Sequence, residues 1–413
     1  MSEHMNSVGP RQTNGLRVLE TLYRYPASSR AWVSRRTGLS RATVSTLVDE
    51  LARAGLVEER EGQPDASAPG ATRRAGADQA NDPPRSSGRP PVLMSLVPGA
   101  AFAVGLDFGH QHIRLAMCDL AGGTVIDQCS PAEVDHAPIE SLDLAHDLVR
   151  SALRSAEIEP DRLLGVGMGL TAPINHLTGE LEADGILPRW HGLRPAEEMQ
   201  ARLGIPVQLE NNANLGALGE KTFGAARGVE DLIYLRLSAG IGAGLILGGR
   251  PHHGFRGVAG EVGHVLSDPN GLICRCGNRG CLETIASPVA VAGLLERSKG
   301  TPVSVKGVLE LVANGDRAAL RAVADAGEAV GRVLSMLVNV LNPELVVVGG
   351  DLADAGSVLL DPIAAAIERH AVASAASSVQ ITAGSLGERA EVLGAAALIL
   401  AQSPRALAQR LAR

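Results

Sequence analysis

The sequence predicts an α/β protein in which an N-terminal winged helix-turn-helix precedes two lobes of similar plan. A chain of 413 residues with 45% apolar residues is long enough for two or three domains, each with its own core. Residues 1–60 contain nine Arg and six Asp or Glu, a net charge of +3 within a chain of net charge −7. After residue 100, apolar strands alternate with glycine turns and amphipathic helices, which is typical of α/β folds.

The composition excludes several classes of protein. A net charge of −7 excludes a basic nucleic-acid coat but allows a local basic module at the front of the chain. The sequence contains no run of about 18 apolar residues, as a membrane helix needs, and its N-terminus lacks the pattern of a signal peptide, so we expect a cytoplasmic protein without a membrane partner. Five cysteines are too few for a disulfide framework in a chain of this length.

Three short helices are predicted near the N-terminus, over Gln12–Tyr23, Arg30–Thr37 and Arg41–Ala54. Ser40 can cap the third helix, and Gly38 allows the turn before it. Apolar residues of the third helix recur at i, i+3, i+4 and i+7, namely Val44, Leu47, Val48 and Leu51. This spacing leaves the opposite face exposed and predicts a helix-turn-helix.

The third helix is the candidate DNA-reading helix. Four residues near its start could reach bases or phosphates in the major groove: Arg41, Thr43, Ser45 and Thr46. The alternative is a winged helix that contacts another protein.

A two-stranded wing is predicted to follow the three helices, with residues 55–59 turning into one strand and residues 91–96 forming its partner. Residues 61–90 are rich in Pro, Gly, Ala, Asp and Ser, which predicts a flexible wing tip. Arg89, in a Ser-Gly-Arg-Pro run, could enter an A·T-rich minor groove. A simple disordered linker is the alternative, and the complete winged module is predicted over residues 1–97.

The rest of the chain is predicted to form two lobes that each begin with a β-hairpin. The first lobe is predicted over residues 98–226, closed by a helix within residues 388–413, and the second over residues 227–387. Predicted elements of the first lobe are strands 101–107, 113–119 and 163–170 and a helix over 143–156. Predicted elements of the second are strands 232–237, 244–247 and 345–348 and a helix over 326–341, and residues 388–402 form the closing helix.

One cluster of residues predicts a metal site. His264 is followed, after nine residues, by Cys274, Cys276 and Cys281. One imidazole and three thiolates form the tetrahedral shell that zinc prefers in structural sites, with no position left for water. Gly277 and Gly280 suit a short loop that must return three sulfurs to one point. Buried free cysteines are the alternative.

Several motifs together resemble those of a known family. They are Gly260-Glu261-Val262-Gly263-His264, the Cys-x-Cys-Gly-x-x-Gly-Cys run from Cys274 to Cys281, Glu283, and Glu210-Asn211-Asn212-Ala213-Asn214 with Gly219-Glu220. In this order they resemble the ROK family of sugar kinases and sugar-responsive repressors. The resemblance covers nearly the whole chain and implies an actin-like, two-lobed ATPase fold with a sugar bound between the lobes.

The resemblance also implies a set of sugar ligands. These are Asn211, Asn212, Glu261, His264 and Glu283. Amides and carboxylates can each bind one or two hydroxyls, and an imidazole held by zinc on one nitrogen can offer the other. The alternative for each acid alone is a solvated surface carboxylate.

Three departures from the kinase pattern argue against phosphoryl transfer. Asn212 stands where the family's kinases have the Asp that takes the proton of the sugar hydroxyl, and an amide lacks that basicity. Gln111 and Ala239 stand where the two phosphate loops of the kinases have a Thr. We therefore expect no enzyme activity.

The prediction is a sugar-responsive regulator, expected to be a repressor. It would bind a double-stranded DNA operator as a homodimer or a dimer of dimers, with a monosaccharide or sugar phosphate as effector and zinc as cofactor. Two alternatives are a sugar kinase with a fused DNA-binding domain and a zinc-stabilised docking module for another protein.

Overall fold

The computed structural model describes residues 10–61, 92–182 and 186–410. The predicted wing tip lies outside the described residues apart from Glu61, and so does Arg89. Within the described ranges, no helix combines the length and the apolar composition that crossing a membrane would require.

The N-terminal module is a helix-turn-helix with a three-stranded sheet. Its elements are α1 (Pro10–Arg24), β1 (Ser28–Ser29), α2 (Arg30–Thr37), α3 (Arg41–Arg53), β2 (Val57–Glu61) and β3 (Val92–Leu96). Ser40 caps α3 by accepting a hydrogen bond from the Thr43 N–H, and Gly38 ends α2 with φ 70°, as predicted. The four apolar residues of α3 are buried. The strand β1 was not predicted, because two serines carry no strand signal; it pairs with β3 and extends the wing.

Both lobes contain a five-stranded sheet with the same strand order. The first lobe contains β4 (Phe102–Phe108), β5 (His112–Asp119), β6 (Thr124–Pro131), α4 (Pro138–Ser155), β7 (Leu163–Leu170), α5 (Pro195–Leu203), β8 (Val207–Asn211) and α6 (Asn212–Thr222). The second contains β9 (Leu232–Leu237), β10 (Ile241–Leu247), β11 (Arg250–Pro251), α7 (Glu283–Ala286), α8 (Pro288–Lys299), α9 (Val305–Ala313), α10 (Arg317–Leu341), β12 (Leu345–Gly349), α11 (Ser357–His370), α12 (Ala373–Ala376) and β13 (Gln380–Ala383).

The shared order explains why the two halves gave similar sequence patterns. The sheets run β6-β5-β4-β7-β8 and β11-β10-β9-β12-β13. In each, the first three strands form an antiparallel meander, and the last two add in parallel after helical crossovers. The carboxyl ends of the central parallel strands therefore lie at corresponding edges of the two sheets, which is where α/β folds place ligands.

Two helices, rather than the single closing helix that the sequence predicted, end the described chain. The first, α13 (Ala390–Leu400), packs so closely on the first sheet that a Cβ at Gly105 or Gly167 would lie 2.0 Å from a backbone oxygen of α13. The second, α14 (Ser403–Arg410), packs against α1 of the winged module. The break at residues 401–402 lets the chain turn from one partner to the other.

A crossed pair of helices joins the lobes. The helix α6 leaves the first sheet and packs on β9 and β10, while α13 returns to the first sheet. The two helices meet through glycines: a Cβ at Gly394 would lie 1.8 Å from the Leu215 carbonyl oxygen, and one at Gly219 would lie 2.2 Å from that of Ala390. Glycine is required here because the backbones touch.

Candidate functional site

A cleft between the lobes collects all five residues that the resemblance assigned to a sugar. Asn211 and Asn212 line it from the first lobe, and Glu261, His264 and Glu283 line it from the second. Thr171, Arg236 and Arg275 also line the cleft, and sequence reasoning missed them. The walls thus combine amides, carboxylates, an imidazole and two guanidinium groups, which can exchange hydrogen bonds with a polyhydroxylated ligand.

The two asparagines are fixed by their own hydrogen bonds at the start of α6. The Asn211 side chain accepts from the Ala213 N–H at 2.8 Å and donates to the Ala172 carbonyl at 3.0 Å. Asn212 Nδ2 donates to Asp107 Oδ1 at 2.8 Å and to Thr171 Oγ1 at 3.1 Å. Asn212 Oδ1 is buried and has no hydrogen-bond partner among the described residues. The Asp107 carboxylate therefore orients the Asn212 amide, because only the NH₂ group of the amide can donate a hydrogen bond to it.

The two acids of the second lobe share the cleft with a guanidinium group. Arg275 donates to both oxygens of Glu283 from one edge of its guanidinium group, Nε to Oε1 at 2.9 Å and Nη2 to Oε2 at 3.1 Å. Burial and the nearby Glu283 carboxylate raise the pKa of Glu261 to about 7. The only sequence signal for Arg275 is its place between two predicted metal ligands, which puts it beside the cleft.

The Cys-rich loop brings the predicted metal ligands together. One atom from each of His264, Cys274, Cys276 and Cys281 lies within 4.8 Å of the others. Cys276 Sγ is 3.7 Å from Cys281 Sγ, and Cys274 Sγ is 3.6 Å from His264 Nδ1. Tetrahedral zinc with ordinary bond lengths would separate two sulfurs by about 3.8 Å and a sulfur and a nitrogen by about 3.6 Å. The loop geometry therefore fits the ion.

The backbone of this loop depends on glycine. Gly277 and Gly280 have φ values of 86° and 71°, as predicted from their positions. A Cβ at Gly280 would lie 1.6 Å from the Asp268 carbonyl oxygen. Because His264 Nδ1 faces Cys274, its Nε2 is left on the side of Glu261, at 3.8 Å from Oε2.

His112 packs against the segment that corresponds to the first phosphate loop of the kinases, residues 107–111. His112 Nε2 lies 3.4 Å from Asp107 Oδ2, and this contact raises the pKa of His112. A Cβ at Gly109 would lie 2.3 Å from the His112 ring. Asp107 is buried and already serves Asn212 through its other oxygen. Both carboxylate oxygens thus have side-chain partners.

The candidate DNA-reading helix presents its predicted residues near its N-terminal end. Arg41 and Thr46 are exposed, and Thr43 and Ser45 are partly exposed. The hydroxyls of Thr43 and Thr46 contact Ser40 Oγ and the Ala42 carbonyl oxygen. The polar face of α3 therefore remains accessible, as the helix-turn-helix prediction requires.

A single arginine fixes α3 relative to the wing. Arg30 contacts Asp49 of α3 at 2.7 Å and Glu59 of β2 at 2.9 Å. Arg30 thus partly neutralises the negative charge of two carboxylates close to the polar face of α3, which reduces their repulsion of an approaching phosphate.

Comparison with known proteins gives matches to both parts of the chain. Residues 103–402 match the model of the ROK family, and residues 14–66 match that of the MarR family. A xylose repressor of Caldicellulosiruptor bescii is 30% identical over 352 residues, 82% of this chain and 83% of the relative.

Solved structures confirm the predicted fold. The crystal structure of a ROK family transcriptional regulator, a homologue of the E. coli MLC protein, superposes with a TM-score of 0.78 at 24% identity, covering 97% of this chain and 98% of that one. A ROK hexokinase from Thermus thermophilus matches 72% of this chain and 97% of its own, with 30% identity and a TM-score of 0.61. The kinase therefore matches a length close to that of the two lobes without the winged module. With a family model over residues 103–402 and a repressor relative over four fifths of its length, the chain belongs to the ROK family.

Proposed function

We propose that this protein is a sugar-responsive transcriptional repressor of carbohydrate-metabolism genes, in which a sugar in the cleft changes the affinity for a DNA operator. One observation carries the proposal. A continuous apolar cluster runs from α1 and α3 of the winged module through α13 and α14 to the first sheet. A shift of the lobes against each other would therefore act on the packing of the DNA-binding module.

The proposed effector is a monosaccharide or sugar phosphate held by Asn211, Asn212, Glu261, His264 and Glu283. The cleft walls support this, since acids and amides from both lobes face one space. Because a relative is named a xylose repressor, xylose is the first sugar to test. A sugar that contacts both lobes would favour one lobe arrangement, and only such differential binding can switch the protein.

Zinc is the proposed cofactor, held by His264, Cys274, Cys276 and Cys281. The contact distances within the loop support the assignment. Such a four-ligand site is structural, so the ion would fix the loop and orient His264 toward the cleft.

Loss of kinase activity is part of the proposal. Asn212 cannot take the sugar proton, and Gln111 and Ala239 cannot supply the phosphate-loop hydroxyls. The contacts of Asp107 with Asn212 and His112 support this, because both oxygens of this nearby carboxylate are engaged and it does not replace the missing base.

For DNA binding we propose α3 in the major groove, with Arg41, Thr43, Ser45 and Thr46 at the bases or phosphates. Arg89 stays a predicted minor-groove residue. The proposed assembly is a homodimer or a dimer of dimers, because a two-fold protein matches a pseudo-palindromic operator.

A mobility-shift titration with a pool of genomic fragments tests the function. We expect specific fragments to be retained, and xylose or another sugar that raises the melting temperature to change the retention. Retention of no fragment above non-specific binding, with or without any sugar, would refute the regulator and favour a docking module.

The kinase alternative has its own readout in the same samples. Sugar-dependent ADP release from ATP at ordinary kinase rates would show that the base and the phosphate contacts are supplied by other residues. We expect none.

A further inference from the structure

A second group of metal-binding side chains lies apart from the Cys-rich loop. His176, Glu210 and His253 each offer one ligand atom, and these atoms lie within 4.8 Å of one another. His253 Nε2 is 2.8 Å from Glu210 Oε2, and His176 Nε2 is 3.5 Å from Glu210 Oε1. The centroids of the two imidazole rings are 4.2 Å apart. Both rings thus converge on one carboxylate.

We propose that His176, Glu210 and His253 form a second divalent metal site, suited to Zn²⁺ or a similar first-row ion. Two histidines and a glutamate are a donor set that zinc uses where one position stays open to water. Tetrahedral zinc would hold such nitrogen and oxygen atoms about 3.4 Å apart. The His176 contact, which is to Oε1, already has about this length, and the His253 contact, which is to Oε2, needs to open by about 0.6 Å, so the two rings approach different oxygens of one carboxylate.

The surroundings of Glu210 prepare it for a cation. Its Oε1 accepts hydrogen bonds from the Asn211 N–H at 2.7 Å and from Asn214 Nδ2 at 2.9 Å. These bonds fix the carboxylate and leave Oε2 on the side of His253, which is how neighbouring groups orient a metal ligand.

The three ligands come from both lobes. His176 follows β7, and Glu210 lies at the end of β8, in the first lobe; His253 follows β11 in the second. The two segments already touch: the His176 N–H donates to the Arg256 carbonyl at 2.9 Å, and Arg256 pairs with Glu182 at 2.7 Å. An ion at this point would tie the two lobes together. The site does not require that a sugar binds.

The open position follows from exposure. The side chains of His176 and His253 are 31% and 28% exposed, whereas that of Glu210 is 7% exposed. An ion held between them would have the buried carboxylate on one side and solvent on the other. It could therefore enter from solution and keep a water molecule.

Metal analysis of the full chain, prepared without a histidine tag, tests the proposal. The protein is stripped with a chelator, reloaded with Zn²⁺, passed through a desalting column and analysed for zinc by mass spectrometry. We expect His176→Gln and His253→Gln each to retain about one ion fewer per chain than the unmodified protein. His252→Gln is the matched control, since this exposed neighbour lies outside the cluster and its variant should retain the full number.

Co²⁺ separates the new site from the Cys-rich loop. Loss of this ion in His253→Gln should lower the visible absorption of the Co²⁺-loaded protein but leave the near-ultraviolet thiolate-to-cobalt band unchanged, because the cluster contains no sulfur. Glutamine at 253 can still donate a hydrogen bond to Glu210, so the fold should survive, as circular dichroism would verify. If the unmodified protein and His253→Gln bind equal numbers of Zn²⁺ and gain equally in Tm when it is added, the proposal is wrong and the cluster is an ion-paired contact between lobes.

Discussion

At the scale of single residues, Arg275 and a sugar in the cleft would compete for the Glu283 carboxylate. Arg275 holds both oxygens of this carboxylate, so a sugar hydroxyl can bind Glu283 only if the guanidinium group moves or shares it. The pair is largely shielded, with Glu283 10% and Arg275 33% exposed, which makes it stronger than a surface ion pair. Arg275 is therefore expected to set how tightly a neutral sugar binds.

The variant Arg275→Gln should bind a neutral sugar about tenfold more tightly. In the unmodified protein, Glu283 must give up a charge-assisted bond to Arg275 in order to accept a weaker one from a sugar hydroxyl, and the variant removes that cost. Isothermal titration calorimetry with xylose, or with the sugar that gives the largest thermal shift, measures the change. Arg279→Gln is the control: it removes the same charge from the same loop, but Arg279 donates to the Gly271 carbonyl and does not line the cleft. Weaker binding by Arg275→Gln alone would instead make Arg275 a sugar ligand.

At the residue scale, the sequence predicted which side chains converge where the signal is local. The four residues of the Cys-rich loop lie within 18 positions, so their convergence could be read from spacing alone. Arg275 was missed because the sequence does not show that its side chain points toward Glu283, although Glu283 itself was a candidate ligand. His176 and His253 were missed because 77 positions separate them, and only the packing of two lobes brings their rings together.

At the scale of elements, α3 is the helix that we propose lies in the major groove of DNA. Arg41 lies in its first turn, where the N-terminal end of the helix also attracts phosphate. Arg53, at the other end of the same helix, is exposed as well and carries the same charge. Comparing variants of the two arginines therefore distinguishes a specific DNA contact of Arg41 from a general effect of positive charge on α3.

Arg41→Ala should weaken operator binding by about 1 to 3 kcal/mol if the side chain reads a base, whereas Arg53→Ala should change it little. Fluorescence anisotropy with operator and scrambled DNA measures both. If Arg41 contacts a phosphate, affinity should fall about equally for the two DNAs, and the salt dependence should flatten by about one unit. Equal losses in both variants would contradict a specific place for α3 in the groove.

Element boundaries were predictable where caps or apolar runs mark them. Ser40 and Gly38 defined the turn before α3, and the buried run of β7 was predicted over its full length. The strand β6 was missed, because its alternating exposed residues at the edge of a sheet carry little apolar signal. The division of the C-terminus into α13 and α14 was missed, because their different partners are visible only in three dimensions.

At the scale of the whole molecule, one helix connects the cleft to the lobe interface. Asn212 begins α6, and the same helix crosses α13 at Gly219 and Gly394, where the backbones touch. The helix α13 leads into α14, which packs on α1. Because such glycine contacts leave no space to deform, a shift of α6 should move α13 as a rigid body.

This continuity predicts a reciprocal coupling between sugar and DNA. If a sugar changes operator affinity by some factor, typically about 5- to 150-fold, the operator must change sugar affinity by the same factor. The two factors can be measured independently, by anisotropy titration of DNA at saturating sugar and by calorimetric titration of sugar with and without bound operator. A sugar that gives no thermal shift serves as the negative control. If the calorimetric sugar affinity is identical with and without operator while the sugar still releases DNA, the site detected by calorimetry is not the site through which the sugar acts, and the proposed coupling through the cleft is wrong.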